Sequence, residues 1–150
     1  MTGPSEDPLA FVILNEVGII EHLSRTAAER ALPPGLSMAG FVVLNHMIRL
    51  RHAERAPAQI ANAVQVTKGA MTGTLKRLEA EGWITVTPDP SDGRAKIVRL
   101  THDGRVIRDT AIQVLTPLMG PLQAAVTDSE LRQAIPILQK IRAALDAARD

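Results

Sequence analysis

From Pro57 to Thr101 the chain reads PAQIANAVQVTKGAMTGTLKRLEAEGWITVTPDPSDGRAKIVRLT, and this stretch limits the fold more than any other. Pro57 can open a helix, because its missing N–H falls where no intrahelical bond is made. Ile60, Ala61 and Val64 then make a short apolar stripe. A turn at Gln65 and Val66 leads to a second helix, which Thr67 is placed to cap.

On a wheel of about 100° per residue, Met71, Leu75 and Leu78 of that second helix cluster within about 60°. Gly69, Thr72, Gly73, Lys76 and Arg77 occupy a separate arc, with Lys68 at its edge. One face packs and the other is free to dock. Each glycine costs roughly 1 kcal/mol in a helix interior relative to alanine. Close approach of the helix to a groove wall accounts for that cost, and Lys68, Thr72, Lys76 and Arg77 can all donate to phosphates or base edges. Gly82 ends the helix. Ile84, Val86, Val98 and Leu100 then alternate with Thr85, Thr87, Ile97 and Arg99, which is strand periodicity. Pro88 to Gly93 are turn formers and predict a long, stiffened loop between the strands. Arg94 follows the Asp92-Gly93 turn, where an arginine can enter a narrow minor groove. Asp92 either braces that guanidinium or caps the turn. Helix, turn, helix and hairpin in this order predict a mainly α chain with a small β-hairpin wing, a winged helix-turn-helix.

Charge agrees with a polyanion partner. Arg49 to Leu78 holds six basic residues against one acid, while the remainder of the 17 basic and 16 acidic residues, eleven and fifteen, sums to −4. The positive potential therefore concentrates on one central segment. A composition that is 45% hydrophobic over 150 residues suffices for a core. The chain has no cysteine, which excludes disulfides, thiolate metal sites and cysteine redox sensing. No apolar run approaches the roughly 20 residues of a membrane span. The first residues, MTGPSEDPLAF, lack the basic region of a secretory signal, so a cytoplasmic location is expected.

The flanks read as helices with apolar faces too large for a small core. Asp7 as N-cap and Pro8 as first helical residue open a stripe of Leu9, Val12, Ile13, Val17, Ile20, Leu23 and Ala27, which Pro33, Pro34 and Gly35 end. Ser37 caps a helix presenting Phe41, Leu44, Met47 and Ile48, whose basic end is RLRHAERA. Thr101 caps another with Ala111, Val114, Leu115 and Leu118, broken by Pro117 and Gly120-Pro121. A last helix is predicted from Asp128, with Leu131, Ile135, Leu138 and Leu145 as its stripe and Pro136 interrupting its bonding. We therefore expect a single domain, 1–150, in which 1–35 and 102–150 are dimerisation helices around a DNA-binding lobe at 36–101.

From Leu36 to Thr101, with helices on both sides, the chain resembles the multiple-antibiotic-resistance regulator (MarR) family of winged helix-turn-helix repressors. The wing Asp92-Gly93-Arg94 followed by Val98-Arg99-Leu100-Thr101, at its distance from the helix VTKGAMTGTLKRLEAEGWI, carries the resemblance. One departure is Gln65, where many helix-turn-helix turns carry glycine. The resemblance implies a homodimeric regulator on a palindromic operator, with Thr67, Lys68, Gly69, Thr72, Gly73, Lys76, Arg77, Asp92 and Arg94 as the DNA-binding residues. It also implies repression relieved by a small aromatic or phenolic anion, with Ile20, Met38, Phe41, Val42 and His46 as ligand-pocket candidates by location. Recognition helices must sit about one DNA turn apart, roughly 34 Å, so a ligand that changes the protomer angle misaligns both half-sites.

Other classes are weaker. No phosphate loop, HExxH or nucleophile motif supports an enzyme, and no cofactor is expected. His22, His46, His52 and His102, with Glu21 or Glu54, would serve a metal-responsive regulator, but their spacing matches no usual ligand pattern. A winged-helix protein-interaction module without DNA binding is disfavoured by the basic arc and Arg94.

Overall fold

The structure is a computed structural model, and it describes residues 7–49, 51 and 54–149. Two compact units form, Met1–Leu115 and Thr116–Asp150. The first contains α1 (Leu9–Ala31), α2 (Met38–Arg49), β1 (Glu54–Arg55), α3 (Pro57–Val64), α4 (Lys68–Ala80), β2 (Ile84–Asp89), β3 (Asp92–Leu100) and α5 (His102–Leu115). The second contains a 3-10 turn (Thr116–Met119), α6 (Gly120–Ala125) and α7 (Asp128–Ala147).

Local chemistry sets most of the boundaries. Ser37 Oγ accepts from the Gly40 N–H at 3.0 Å, Thr67 Oγ1 from Ala70 at 3.2 Å and Thr101 Oγ1 from Gly104 at 3.0 Å. These hydroxyls satisfy N–H groups that a helix start leaves without an intrahelical partner. Two expected caps move. Pro8 rather than Asp7 occupies the N-cap of α1, with no side-chain bond. Thr127 rather than Asp128 caps α7, in a reciprocal box in which Glu130 accepts from the Thr127 N–H and hydroxyl. Those two bonds hold the Glu130 carboxyl below its ordinary pKa, the backbone donor first and the hydroxyl second. Pro117 and Gly120-Pro121 interrupt the helix after Leu115 as expected, by a 3-10 turn. Pro136, in contrast, does not divide α7, which runs unbroken for 20 residues.

Of the expected basic helix end RLRHAERA, Leu50, His52 and Ala53 lie outside the described residues, and Glu54 and Arg55 are not helical. α2 stops at Arg49, and Arg51 takes a left-handed φ of 53°. Glu54 and Arg55 form an edge strand of a three-stranded antiparallel sheet ordered β1-β3-β2. A two-residue strand has no periodicity of its own; β3 defines it, through Glu54↔Arg99 and Arg55↔Val98.

The core of the first unit gathers Leu36, Val43, Leu44, Met47, Ile60 and Leu78 from the helices, and Trp83, Ile84 and Val98 from the base of the sheet. Thus α4 and the hairpin stand on one apolar foundation. α1 contributes Ala28 alone among its buried residues, and Leu9, Phe11, Ile20 and Leu23 are exposed. α7 has no buried residue, and its Ile135, Leu138 and Leu145 are exposed. Among the described residues no helix is long and apolar enough to cross a membrane.

Candidate nucleic-acid interface

The turn before α4 achieves without glycine what glycine usually supplies. Gln65 adopts φ 61°, ψ 48°, the left-handed conformation that reverses the chain after α3. The Val66 N–H then bonds the Ala61 carbonyl at 3.0 Å. α4 starts one residue after Thr67 and turns Met71, Thr74, Leu75 and Leu78 into the core. Thr74, which the apolar wheel does not include, is part of that buried face.

The opposite face of α4 is open. Lys68, Gly69, Thr72, Lys76 and Arg77 are exposed and Gly73 is half-buried. A Cβ built on Gly69 would meet nothing within 4 Å, and one on Gly73 would meet Arg77 Nη1 at 3.9 Å. The chain's own packing therefore does not require either glycine. The Thr72 hydroxyl donates to the Lys68 carbonyl at 2.9 Å, so what this side chain presents outward is an acceptor oxygen and a methyl group.

The hairpin differs from its expected form. The strands do not stop at Thr87 and Ile97: pairing continues through Pro88↔Lys96 to Asp89↔Asp92, leaving a tight turn at Pro90 and Ser91 in place of a long loop from Pro88 to Gly93. Between those last two pairs β3 carries Gly93, Arg94 and Ala95 while β2 carries nothing, an irregularity that pushes Arg94 out of the ladder. Asp92 caps this feature, its Oδ1 accepting from the Arg94 N–H at 3.1 Å. Asp89 organises the turn, its Oδ1 accepting from the Ser91 N–H at 2.9 Å and hydroxyl at 2.8 Å. The Ser91 N–H first, then the Ser91 hydroxyl, hold the Asp89 carboxyl below its ordinary pKa, with Arg99 adding a smaller pull.

Helix and wing meet across a cleft of about 390 Å³ floored by Pro57 and Met71. Lys68 and Thr72 line one side, and Arg94 and Lys96 the other. Lys76 and Arg77 lie further along α4, outside the cleft, and Asp92 stays at the exposed tip. Lys96 is the residue that sequence reasoning missed. Its spacing of two from Arg94 on a strand was the available signal.

A second, smaller cavity of about 150 Å³ lies behind α4, lined by Met38, Val42, Val64, Met71 and Thr74 with Arg25 of α1. It joins two of the five ligand candidates, Met38 and Val42. Ile20 is 60% exposed, Phe41 packs against the core and His46 is half-buried on α2, and none of these three lines the cavity. Among the described residues no three His, Cys, Asp or Glu side chains are grouped to hold a metal; His52 lies outside those residues.

Comparison with known proteins decides the family. The HTH-type transcriptional repressor NicR of Pseudomonas putida is 30% identical over 159 aligned positions, covering 97% of this chain and 94% of that one. Residues 47–96 match the description of the MarR family. The chain belongs to the MarR family. It is a helix-turn-helix transcriptional regulator, not an enzyme.

Solved structures of transcriptional regulators agree. The regulator BldR of Sulfolobus solfataricus shares 25% identity at a TM-score of 0.81, over 93% of this chain and 99% of that one. A mutant MarR from E. coli, crystallised with operator DNA, shares 27% identity at a TM-score of 0.69, over 87% and 96%. In this MarR-family chain the matched residues 47–96 run from the end of α2 to the wing and include all nine DNA-binding candidates. All five ligand candidates precede them.

Proposed function

We propose that this MarR-family chain acts in the cytoplasm as a homodimeric repressor of a palindromic operator, and that a small aromatic or phenolic anion releases it. The observation that carries the DNA reading is the cleft in which Lys68 and Thr72 of α4 face Arg94 of the wing. Cationic groups from two elements, Lys68 on α4 and Arg94 and Lys96 on the wing, converge there on one exposed surface, as contact with a phosphate backbone requires, while Thr72 offers an acceptor oxygen and a methyl group. In this reading Thr67, Lys68, Gly69, Thr72, Gly73, Lys76 and Arg77 line the major groove. The Lys68 and Gly69 N–H groups, at a helix start, face a phosphate. Arg94, held by Asp92, enters the flanking minor groove. Similarity to the E. coli MarR crystallised with operator DNA supports this assignment.

The dimer reading rests on apolar surface. Leu9 is 82% and Phe11 62% exposed on α1, and α7 exposes Ile135, Leu138 and Leu145. Residues 1–35 and 102–150 then serve as dimerisation helices, and 36–101 as the DNA-binding lobe. A second copy covers such faces and sets two recognition helices at a fixed spacing. The ligand reading rests on the cavity behind α4. A space of about 150 Å³ accepts one benzene-sized ring. Arg25, ion-paired with Glu21 on the same helix, supplies a cation for the anionic group. A ligand there shifts the protein between arrangements only by its difference in affinity for them.

Selection of bound sequences from random DNA tests the reading. The expected result is a palindrome with half-site centres about 10 base pairs apart, bound with an affinity that falls steeply with salt. No enrichment, or a site without symmetry, overturns it.

The two glycines of α4 give a second expected result. Gly73→Ala stabilises the fold by about 1 kcal/mol and Gly69→Ala, in the first turn, by less, because the Gly69 Cβ enters open space and the Gly73 Cβ makes only an ordinary contact with the Arg77 side chain. Both nevertheless weaken operator binding, because the groove wall occupies that space. Thermal unfolding and anisotropy titration read the two effects separately; a stabilised variant with unchanged affinity places the helix further from DNA.

A further inference from the structure

Arg99 ties together all three strands of the wing sheet. It sits on β3, the middle strand, on the face opposite core-facing Val98. Its Nε donates to Glu54 Oε1 on β1 at 3.0 Å, and its Nη1 donates to Thr87 Oγ1 on β2 at 2.9 Å. β1 leads through Ala56 directly into α3, the first helix of the helix-turn-helix. β2 and β3 carry the wing tip. One guanidinium therefore bridges the root of the reading head and both strands of the hairpin.

Stability does not account for this arrangement. The Arg99 and Glu54 side chains are 39% and 52% exposed, and ion pairs at such sites contribute little. Geometry does account for it. Arg94 lies five residues beyond Arg99, roughly 15 Å along a strand, so a 10° rotation of the hairpin about its base displaces the tip by about 3 Å. That displacement exceeds the tolerance of a hydrogen bond. The planar fork of arginine spans both neighbours at once, which a lysine's single ammonium group does not do. Beside it the Glu79 carboxylate accepts from the Val86 N–H at 2.9 Å, tying the end of α4 to the other edge of the hairpin.

We infer that Arg99 is a positioning residue for DNA recognition: with Glu54 and Thr87 it holds the wing at the angle that delivers Arg94 to DNA without touching DNA itself. The inference rests on the reading of Arg94 as the wing's DNA contact. A double-mutant cycle in the full-length protein tests it, with anisotropy titration against the selected operator at fixed salt. Arg99→Ala is expected to weaken binding about three- to tenfold, the scale of ordering one side chain on association. In an Arg94→Ala background the same substitution should change nothing further, since no tip contact remains to be misplaced. Thr87→Val removes one of the two bonds with little change of shape. It should show a smaller loss that also vanishes without Arg94, and it decides the matter if Arg99→Ala lowers the unfolding temperature. A loss that persists in the Arg94→Ala background, or no loss, overturns the positioning role alone. Unchanged affinity of Arg94→Ala by itself overturns the wing reading on which the inference stands.

Discussion

Gly104→Ala is expected to lower stability by about 3 kcal/mol, and the unfolding temperature by about 10 °C, although alanine is the better helix former. Gly104 lies in the first turn of α5 and is buried. A Cβ there would stand 2.0 Å from the Trp83 carbonyl oxygen and 2.9 Å from Leu100 Cδ1. That carbonyl cannot yield cheaply, because it accepts from the Thr101 N–H at 3.1 Å. The Thr101 hydroxyl in turn donates to the Gly82 carbonyl at 2.7 Å and accepts from Gly104 itself. Relief therefore means moving α5 off the root of the hairpin, where Trp83 and Ile84 enter the core. Thermal unfolding at matched protein concentration checks the prediction, and an unchanged transition would show that α5 can move away from the Trp83 carbonyl at no cost. Gly69 and Gly73 provide the internal control: the same substitution with opposite sign.

Arg94→Ala is expected to reduce operator affinity about a hundredfold with no change in unfolding temperature. One arginine contact with DNA is worth about 1–3 kcal/mol, and a symmetric dimer loses two. Stability should not respond, because Arg94 is exposed and its hydrogen bond to Asp92 uses the backbone N–H, which alanine retains. The salt dependence of binding should also become shallower, since fewer phosphates are neutralised and fewer counterions leave the DNA. A full salt slope with unchanged affinity would remove the wing from recognition and leave α4 as the sole reader.

Much of this molecule was legible from short-range chemistry. Ser37, Thr67 and Thr101 are helix caps in the structure because a hydroxyl three residues before an N–H needs no help from the rest of the chain. The Met71, Leu75 and Leu78 stripe was readable for the same reason, since 3.6-residue periodicity is a property of the segment itself. Thr127 is equally legible, as Thr-x-x-Glu, although the neighbouring Asp128 is the more usual N-cap type. The features that no local pattern carries share one cause. β1 exists because Arg99 and Val98 lie beside it, 45 residues away in the Glu54–Arg99 pair. The hairpin extends to Asp89 and Asp92 because pairing outweighs the turn preference of Pro88, a residue tolerated where an edge strand needs no outward N–H.

The order of the main helices, their hydroxyl caps, the apolar and open faces of α4 and the family were determined by the sequence alone, because each is carried by patterns within short stretches of chain. Tertiary structure decided the rest: that Lys96 joins Lys68, Thr72 and Arg94 around one cleft, that Arg25 meets Met38 and Val42 behind α4, that Gly104 must lack a side chain, and that one arginine spans three strands. Each of those depends on the distance between segments far apart in the chain, a quantity set by how the shared core packs and encoded in no local pattern.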